Sequence, residues 1–321
     1  MTALSDEPLV SICMPASRSA EDLERAIRSV IAQGVDEIEV IVTDDSGGRL
    51  RPAVTAIGDG RALYFANPRP LGFAGNHMAA LDRARGRFVG ILHEDDEYLP
   101  GFLRGVLDVF EREPRVGAVF TDCWVEADGV RRRRGVRLGA GRYDHFVPQL
   151  LRHDYFLPST TVFRSTALEQ VRRWPDTQAA DLFMFIDAAA AGWAYYYVDD
   201  PRVVYREHAN QISTDDVGLR DSLVEVFSAY RFDDPEVEDI RRSRLAWALV
   251  SRAGVKLLAE DAGGARSDLR DARATHAGTL RWKRRALRVA TYAPGVASRV
   301  DPAWKRLRYL TGLERRHRYR H

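Results

Sequence analysis

The sequence contains little cysteine and no long run of uncharged apolar residues. Cys13 and Cys123 are its two cysteines, and because apolar residues flank both, we expect small core side chains rather than a disulfide or metal ligands. No stretch of about 18 uncharged apolar residues is available to span a bilayer. The first eight residues also lack the basic and apolar segments of a signal peptide. These absences predict a cytoplasmic protein in a reducing compartment.

The residues that are present are ordinary for a globular chain, but their charge is uneven. The 321 residues are 29% charged and 45% hydrophobic, which fits one large domain or a catalytic domain with an appendage. The net charge of +2 conceals a basic segment, residues 281–321, where 13 Lys and Arg against two acids give +11, leaving −9 for residues 1–280. We expect the basic segment to contact an anionic membrane or another polyanion, and not nucleic acid, whose recognition motifs are missing.

The most informative stretch of the sequence is 88–100. Residues 88–92 are mostly apolar and too few for a helix, so they predict a buried strand. This strand leads into Glu94, Asp95 and Asp96, and a helix with one apolar face is expected from Pro100. Adjacent carboxylates repel one another unless a cation or a basic partner lies between them, and such hard ligands suit Mg²⁺ or Mn²⁺. The loop is therefore a candidate metal site, with a solvated acidic loop as the alternative.

The first half of the chain alternates between predicted strands and helices. Strands are expected at 9–14, 38–43, 62–65, 88–92 and 116–126, with helices opening near Ser19, Gly72 and Pro100. This alternation is typical of a doubly wound, Rossmann-like α/β sheet. Asp44 and Asp45 end the second strand, so both acidic loops are expected at the same carboxyl edge, where ligands bind in such sheets.

The second half is predicted to add further strands and then helices. A hairpin turn at 127–129 leads into a basic strand at 130–137, followed by a loop-rich crossing over 139–158, a strand at 160–163, helices at 165–171 and 181–191, and strands at 195–198 and 203–205. Beyond residue 222 the chain is predicted to be helical, with loops at 233–235, 263–264 and 294–295. Leu245, Leu249, Val255 and Leu258 are expected to pack on the preceding domain or on another subunit, as in a homo-oligomer.

Seven short motifs occur in a fixed order along residues 8–215. They are VSICMP at 10–15, VTDDS at 42–46, LGFAGN at 71–76, ARGRF at 84–88, EDD at 94–96 with Pro100 after it, Asp181 eleven residues before Gly192, and YREH at 205–208. The ordered set resembles the GT-A inverting glycosyltransferases of family 2. The resemblance implies a GT-A domain at 1–220, with a nucleotide-sugar half at about 8–125 and an acceptor half at 126–220, and a helical, basic region at 221–321. It also implies metal-dependent, inverting transfer of a sugar from a nucleotide diphosphate sugar to a hydroxyl.

The resemblance assigns seven residues to the nucleotide. They are Pro15, Ser17, Asp44, Asp45, Arg69, Asn76 and Glu94. Asp45 would accept a hydrogen bond from the base, most readily from the imide of uracil or thymine, which favours UDP or dTDP sugars. The alternative is structural, because Asp is also a favoured turn residue and Asn a favoured helix-start residue.

The resemblance also assigns the metal and the general base. Asp95 matches the metal-binding acid, with Glu94 or Asp96 as a possible further ligand. His208 stands where relatives have a histidine that closes over the metal or diphosphate, and imidazole suits Mn²⁺ better than Mg²⁺; an ordinary packed or surface histidine is the alternative. His93 stands where the family often has an Asp, which leaves the full ligand set open. Asp181 matches the catalytic base, although Ala180 replaces the Glu that usually precedes it. An Asp that only stabilises a helix N-terminus is the alternative for Asp181. In that case Asp187 and Asp154 are the next candidates for the base.

Two other functions are considered. A nucleotidyltransferase that makes a sugar nucleotide should carry a glycine-rich phosphate loop after its first strand, whereas residues 14–19 contain no glycine. A non-catalytic protein that binds a sugar nucleotide or acts as a scaffold is the other alternative, and the departures at His93 and Ala180 keep it open.

Overall fold

The computed structural model describes residues 7–153, 157–171, 174–208 and 216–292. These residues form two compact units. The first lies within Met1–Asp176 and Ala180–Ala209, and the second within Thr177–Ala179 and Asn210–His321. All strands of the described residues belong to the first unit.

The first unit combines twelve strands with seven α-helices among its described residues. The strands are β1 (Val10–Ala16), β2 (Ile38–Asp44), β3 (Ala62–Ala66), β4 (Phe88–Ile91), β5 (Glu97–Tyr98), β6 (Val116–Thr121), β7 (Trp124–Ala127), β8 (Val130–Arg133), β9 (Gly141–Tyr143), β10 (Thr161–Arg164), β11 (Ala194–Val198) and β12 (Val203–Arg206). The helices are α1 (Ala20–Ile31), α2 (Arg51–Ile57), α3 (Gly72–Leu81), α4 (Phe102–Arg112), α5 (Val147–Arg152), α6 (Ser165–Leu168) and α7 (Asp181–Ala190), with a 3₁₀ turn at Pro158–Thr160.

An eight-stranded mixed sheet forms the core of this unit. Its strand order is β3-β2-β1-β4-β10-β6-β11-β9, and the run from β3 to β4 is parallel. Strand β10 enters antiparallel between β4 and β6. A second sheet has the order β5-β12-β7-β8. The predicted α/β class with a doubly wound mixed sheet is confirmed.

The register of the parallel strands places the acidic loops side by side. Ala16 at the end of β1 pairs with Asp44 at the end of β2, and Cys13 of β1 pairs with Ile91 at the end of β4. All seven residues of β1 and of β2 are buried, because helices cover both faces of a parallel sheet. Helix α1 starts at the predicted cap, since the Ser19 side chain accepts a hydrogen bond from the Asp22 N–H.

Three sequence-based predictions of secondary structure were wrong. The predicted strand at 116–126 is two strands in different sheets, β6 and β7, because the buried Asp122 carboxylate accepts hydrogen bonds from the Cys123 and Gly135 N–H groups and turns the chain. The crossing at 139–158 contains β9 and α5 rather than loop alone. The predicted loop at 263–264 lies inside a helix whose cap, Asp261, accepts a hydrogen bond from the Gly264 N–H. The predicted loop at 294–295 lies outside the described residues.

The second unit contains only helices among its described residues. They are α8 (Asp216–Ala229), α9 (Pro235–Leu258), α10 (Ala262–Thr275) and α11 (Arg281–Ala290). Within this unit Leu245, Leu249 and Val255 are buried, whereas Leu258 is 37% exposed. The almost fully buried Asp268 pairs with Arg252 at 2.8 Å and ties α10 to α9. None of the helices in the described ranges has the length and apolarity needed to cross a membrane.

Candidate active site

The predicted nucleotide and metal residues gather at one edge of the eight-stranded sheet. The Asp45 N–H donates to the Ala16 carbonyl at 2.9 Å, so the loop after β2 starts against the end of β1. The Leu92 N–H donates to the Cys13 carbonyl at 3.0 Å, so the loop after β4 starts against the other side of β1. The carboxyl ends of β2, β1 and β4 are therefore adjacent, as expected where an α/β sheet binds ligands.

Glu94 supports the loop that follows β1. Its carboxylate accepts backbone hydrogen bonds from Ser17 at 3.1 Å, from Arg18 at 3.1 and 3.2 Å, and from Ser19 at 3.3 Å. Burial raises the pKa of Glu94, and the three N–H groups oppose that rise. The side chain of Glu94 thus fixes residues 17–19, which lead into α1.

Asp44 is engaged with the loop that follows its own strand. One carboxylate oxygen accepts from the Ser46 N–H at 2.6 Å, and the other accepts from the Tyr64 hydroxyl at 2.6 Å and from the Leu50 N–H at 3.4 Å. Burial by itself raises the pKa of Asp44, but the hydrogen bonds from Ser46, Tyr64 and Leu50 outweigh it and lower the pKa. Burial and the bond to Asp44 raise the pKa of Tyr64 to about 12.

Asp45 belongs to a network that joins β2 to the start of α3. Its Oδ1 accepts from Asn67 Nδ2 at 2.6 Å, and its Oδ2 accepts from the Leu71 and Gly72 N–H groups at 3.0 Å. Asn67 Nδ2 also donates to Asn76 Oδ1 at 2.9 Å. Sequence reasoning missed Asn67, although its position two residues after a predicted strand and directly before a proline was a usable signal.

Two other residues predicted to bind the nucleotide differ in exposure. Pro15 is a buried residue of β1 that pairs with Thr43 of β2. Arg69 is exposed in the loop between β3 and α3.

A cluster of metal-binding side chains follows β4. His93, Asp95 and Asp96 each offer a ligand atom, and these atoms lie within 4.8 Å of one another. Asp95 Oδ2 also lies 2.8 Å from His208 Nε2, so His208, the third predicted metal residue, lies beside this cluster through its contact with Asp95. The donor set combines carboxylate oxygens with imidazole nitrogens, which fits Mn²⁺.

Asp96 is the most buried member of this cluster. Its carboxylate accepts from the Ser159 hydroxyl and, at 3.1 Å, from the Arg206 N–H. Burial, followed by the nearby charge of Asp95, raises the pKa of Asp96 well above its ordinary value. Asp96 therefore connects the acidic loop to Arg206 at the end of β12, two residues before His208.

Arg206 is a site residue whose individual contribution sequence reasoning missed. Its guanidinium donates to Glu97 at 2.6 Å, to Glu126 at 3.2 Å and to the Asp95 carbonyl at 3.2 Å. The available signal was its place in the YREH motif, two residues before His208. This cation partly balances the acids around the cluster.

A pair of histidines lies on the α3 side of the cluster. His77 Nε2 is 3.1 Å from His93 Nε2, and His77 Nδ1 is 2.7 Å from the Phe73 carbonyl. The Trp174 ring lies 5.6 Å from the His77 ring. Burial, and secondarily the charge of His93, lowers the pKa of His77 to about 3, and burial also lowers the pKa of His93. No sequence spacing predicted this pairing, because the two histidines are 16 residues apart on different elements.

Asp181 is the first residue of α7 and is half-buried. Residues 174–176, which precede Asp181, lie beside α3. The Trp174 ring lies against His77 of α3, and Asp176 Oδ1 is 3.6 Å from the position that a Cβ atom on Gly72 would take. Asp187, an alternative base, is buried in the same helix. Asp154, a further alternative, lies outside the described residues.

Comparison with known proteins identifies the family. A model described as glycosyl transferase family 2 matches residues 11–171. The chain is 33% identical over 164 residues to the succinoglycan biosynthesis protein ExoO of Rhizobium meliloti, covering 51% of this chain and 46% of that protein. It is 32% identical over 126 residues to a Campylobacter jejuni GalNAc(5)-diNAcBac-PP-undecaprenol beta-1,3-glucosyltransferase, covering 38% of this chain and 40% of that protein. The chain therefore spans less than half the length of either relative.

Solved structures share the fold. S. aureus TarS 1-349 in complex with UDP-GlcNAc superposes with a TM-score of 0.67 and 13% identity, covering 97% of this chain and 93% of the TarS 1-349 chain. The Pyrobaculum calidifontis mannosyltransferase PcManGT in complex with GDP-Man and Mn²⁺ superposes with a TM-score of 0.55 and 20% identity, covering 97% of this chain and 88% of that one. The predicted GT-A fold is thereby confirmed. The chain belongs to glycosyltransferase family 2.

Proposed function

We propose that residues 1–220 form the catalytic domain of a metal-dependent, inverting glycosyltransferase, with 8–125 binding the nucleotide sugar and 126–220 the acceptor. The observation that carries the proposal is the meeting of Asp95 with Asp96 and His208 at the carboxyl edge of the sheet. The likeness to TarS, solved with UDP-GlcNAc, and to a relative named as a glucosyltransferase supports the same reaction class.

Asp95, Asp96 and His208 would hold the metal ion. When bound, a divalent ion neutralises charge that develops on the diphosphate leaving group. The protein's own contribution is to hold the acidic loop in place. The Asp96 carboxylate accepts hydrogen bonds from the Ser159 hydroxyl and from the Arg206 N–H. The likeness to PcManGT, solved with Mn²⁺, favours Mn²⁺ over Mg²⁺ here, as does the imidazole among the donors.

The nucleotide would bind over the loops after β1 and β2. Asp45 Oδ2 accepts two N–H groups, from Leu71 and Gly72, whereas Oδ1 accepts one, from Asn67. The second lone pair of Oδ1 can therefore accept an N–H from the base. Glu94 holds Ser17 in the loop after β1, and the exposed Arg69 supplies positive charge for the phosphates. Pro15, Asp44 and Asn76 would shape these loops. A uracil or thymine imide fits the acceptor at Asp45, so UDP or dTDP sugars are favoured.

Asp181 would be the general base. Its carboxylate takes the proton from the acceptor hydroxyl while that oxygen bonds to the anomeric carbon, and the bond from this carbon to the diphosphate breaks on the opposite face. Attack from the face opposite the leaving group inverts the configuration. Residues 174–176, which come shortly before Asp181 in the chain, lie against α3, and this supports a position of Asp181 near the proposed nucleotide site.

The acceptor would be a lipid-linked saccharide at the cytoplasmic face of a membrane. A lipid-linked acceptor is supported by relatives such as the Escherichia coli WfaP, a UDP-Glc:alpha-D-GlcNAc-diphosphoundecaprenol beta-1,3-glucosyltransferase that is 23% identical over 206 residues, covering 64% of this chain and 80% of that protein. Helix α11 offers a surface for such a membrane. Its exposed side carries basic, aromatic and aliphatic residues, here called the α11 stripe: Arg281, Trp282, Arg285, Arg288, Val289 and, just beyond the helix, Tyr292. A homo-oligomer stays a prediction.

Transfer from a UDP sugar to a diphosphoundecaprenol-linked saccharide, followed with purified full-length protein and Mn²⁺, tests the proposal. We expect Asp95→Ala to abolish transfer, or to lower it severely, while the melting temperature stays the same or rises, because one of the repelling acids is gone. Excess EDTA should stop the wild-type reaction. Asp108→Asn, at an exposed position of α4, is the matched control. Full transfer by Asp95→Ala, or by wild type in EDTA, would refute metal-dependent transfer through Asp95.

The same assay separates the two alternatives. A nucleotidyltransferase would consume a nucleoside triphosphate and a sugar phosphate and release pyrophosphate, whereas a glycosyltransferase releases a nucleoside diphosphate. A non-catalytic protein would bind the sugar nucleotide and release neither product.

A further inference from the structure

The loop after β4 brings an imidazole as well as acids to the metal cluster. His93 lies with Asp95 and Asp96 in a group whose ligand atoms are within 4.8 Å of one another. The His93 N–H donates to Ser159 Oγ at 3.2 Å, and the Ser159 hydroxyl in turn donates to Asp96. One serine therefore fixes both the backbone of His93 and the carboxylate of Asp96.

The hydrogen bonds of His77 determine which nitrogen of His93 is available. The Phe73 carbonyl can only accept, so His77 Nδ1, 2.7 Å away, must carry a proton. In a neutral imidazole the other nitrogen, Nε2, then has only a lone pair. His93 Nε2, at 3.1 Å, must be the donor to it, which leaves the lone pair of His93 on Nδ1.

The ring of His77 is held rigidly enough to impose this tautomer. It is 4% exposed and packs against Phe73, with ring centroids 4.2 Å apart, and against Trp174 at 5.6 Å. The His77 and His93 rings meet nearly edge to face, at 85°. A histidine that binds a metal through one nitrogen usually donates its other N–H to a fixed acceptor, which orients the ring. His77 supplies that acceptor for His93.

We propose that His93 Nδ1 is a direct ligand of the metal ion, and that His77 is a positioning residue that orients the His93 ring through its Nε2–H. This inference rests on the proposed metal dependence and adds a nitrogen donor to it. Imidazole favours Mn²⁺ over Mg²⁺, whose preferred ligands are oxygen atoms. The site should therefore discriminate between these ions more strongly than a site of carboxylates alone.

Pulsed EPR of bound Mn²⁺ tests this directly, because a coordinated imidazole gives a ¹⁴N coupling. His208 is a second imidazole near Asp95, so the measurement is made on full-length His208→Asn protein with Mn²⁺, with and without UDP. His208 is 37% exposed, and its replacement leaves the core untouched. We expect the ¹⁴N coupling to persist in His208→Asn and to disappear in the His93→Asp/His208→Asn double variant.

Equilibrium binding supplies the second readout. His93→Asp replaces nitrogen with oxygen, so the ratio of Mn²⁺ to Mg²⁺ affinity should fall. His77→Phe removes the hydrogen-bond acceptor of His93. The affinity for Mn²⁺ should fall on the order of 10- to 100-fold, the usual effect of losing such a partner, while the ¹⁴N coupling remains. Melting curves verify that each variant is folded.

The outcomes separate this inference from the proposed function. Mn²⁺ bound to His208→Asn without a ¹⁴N coupling, or an unchanged ratio of affinities in His93→Asp, overturns the ligation by His93 and leaves metal-dependent transfer intact. Wild-type protein that binds no Mn²⁺, with or without UDP, overturns both.

Discussion

At the scale of single residues, the acids of the site have separate tasks because their surroundings differ. Asp44 and Glu94 use both carboxylate oxygens to hold backbone N–H groups of neighbouring loops. Asp95 has a 19% exposed side chain paired with His208. Acids that hold loops should therefore contribute mainly to stability, and acids that face ligands mainly to turnover.

Asp181→Asn tests the base. Asparagine keeps the shape of the side chain but cannot take up a proton, so turnover should fall on the order of 10²- to 10⁴-fold, the range expected for lost base catalysis. Binding of UDP with Mn²⁺, measured by calorimetry, should stay unchanged. Asp108→Asn on α4 controls for the loss of one negative charge. Turnover within a few fold of wild type together with intact UDP binding would move the assignment to Asp187 or Asp154.

Asp44→Asn tests an acid that stabilises the fold. The substitution weakens hydrogen bonds that the ionised Asp44 accepts. We therefore expect the free energy of unfolding to fall by about 2 kcal/mol and the melting temperature to fall by roughly 4–8 °C. The folded pKa of Asp44 is lowered, so its stabilisation is complete above the ordinary pKa of about 3.9 and is lost as the pH falls through the folded value.

The difference in melting temperature between wild type and Asp44→Asn should accordingly be constant from pH 7 to 5 and shrink below about pH 4. Melting curves of both proteins over this range provide the measurement. A difference that grows in acid would contradict the stabilising contribution of the ionised Asp44.

At the scale of elements, the sheet was predictable where single strands carried the signal. Apolar runs ended by Asp44 and by Glu94 located β2 and β4, and the shared carboxyl edge followed from a parallel sheet. The break between β6 and β7 was not predictable, because the apolar character continues past Asp122, and the turn depends on the contacts of the Asp122 carboxylate with Cys123, Arg133 and Gly135. Contacts between residues distant in sequence leave no periodic pattern. For the same reason the pairing of His77 with His93 could not be predicted from the sequence.

The α11 stripe shows how one helix can present two chemistries. Leu287 and Arg284 face inward, whereas Trp282, Arg285 and Arg288 face outward. Tryptophan and tyrosine prefer the interface between lipid and water, and arginine keeps its charge at the headgroups. A surface of this composition fits an anionic bilayer better than it fits solvent.

Sedimentation with vesicles tests the α11 stripe. The protein should bind vesicles that contain anionic phosphatidylglycerol at low salt, bind them less at moderate salt, and not bind vesicles of pure phosphatidylcholine. Each basic residue near an anionic membrane surface adds about 1 kcal/mol to the binding free energy, and salt screens this attraction. Arg285→Glu/Arg288→Glu should lose most of this binding, and Trp282→Ala part of it.

Arg104→Glu/Arg112→Glu, at two exposed positions of α4, makes the same change of charge elsewhere and should bind like wild type. Equal absence of binding in all four combinations of lipid and salt would refute the membrane contact. Binding that the α4 variant loses as fully as the α11 variant would show a general effect of charge.

At the scale of the whole molecule, negative charge lies in the part of the chain that includes the proposed catalytic domain, and positive charge lies in the basic segment that is proposed to contact a membrane. Residues 1–280 carry −9 and include the acidic site, whereas the basic segment carries +11. A positively charged segment attracts anionic lipid, and the acids near the cluster attract a divalent cation. The GT-A fold was predictable from the ordered motifs, whereas the choice of donor depends on loop shapes and on Asp45, which a sequence pattern does not describe.

The nucleotide should be distinguishable by how far it raises the melting temperature of the whole protein. A ligand that binds only the native state at 100 times its Kd adds about 2.7 kcal/mol, which raises the melting temperature by roughly 5–10 °C. With Mn²⁺ present, we expect UDP and dTDP to give larger shifts than GDP, because the one free lone pair of Asp45 Oδ1 matches the single imide N–H of uracil or thymine, whereas guanine presents two adjacent N–H donors there. Asp45→Ala should lose this preference. Asn67→Ala, which removes a partner of Asp45 but keeps the carboxylate, should retain it, so that a loss of preference in both variants would indicate a disturbed loop rather than recognition by Asp45. A GDP shift larger than the UDP shift in wild type would reject Asp45 as the residue that selects the base and would assign the donor to a different nucleotide.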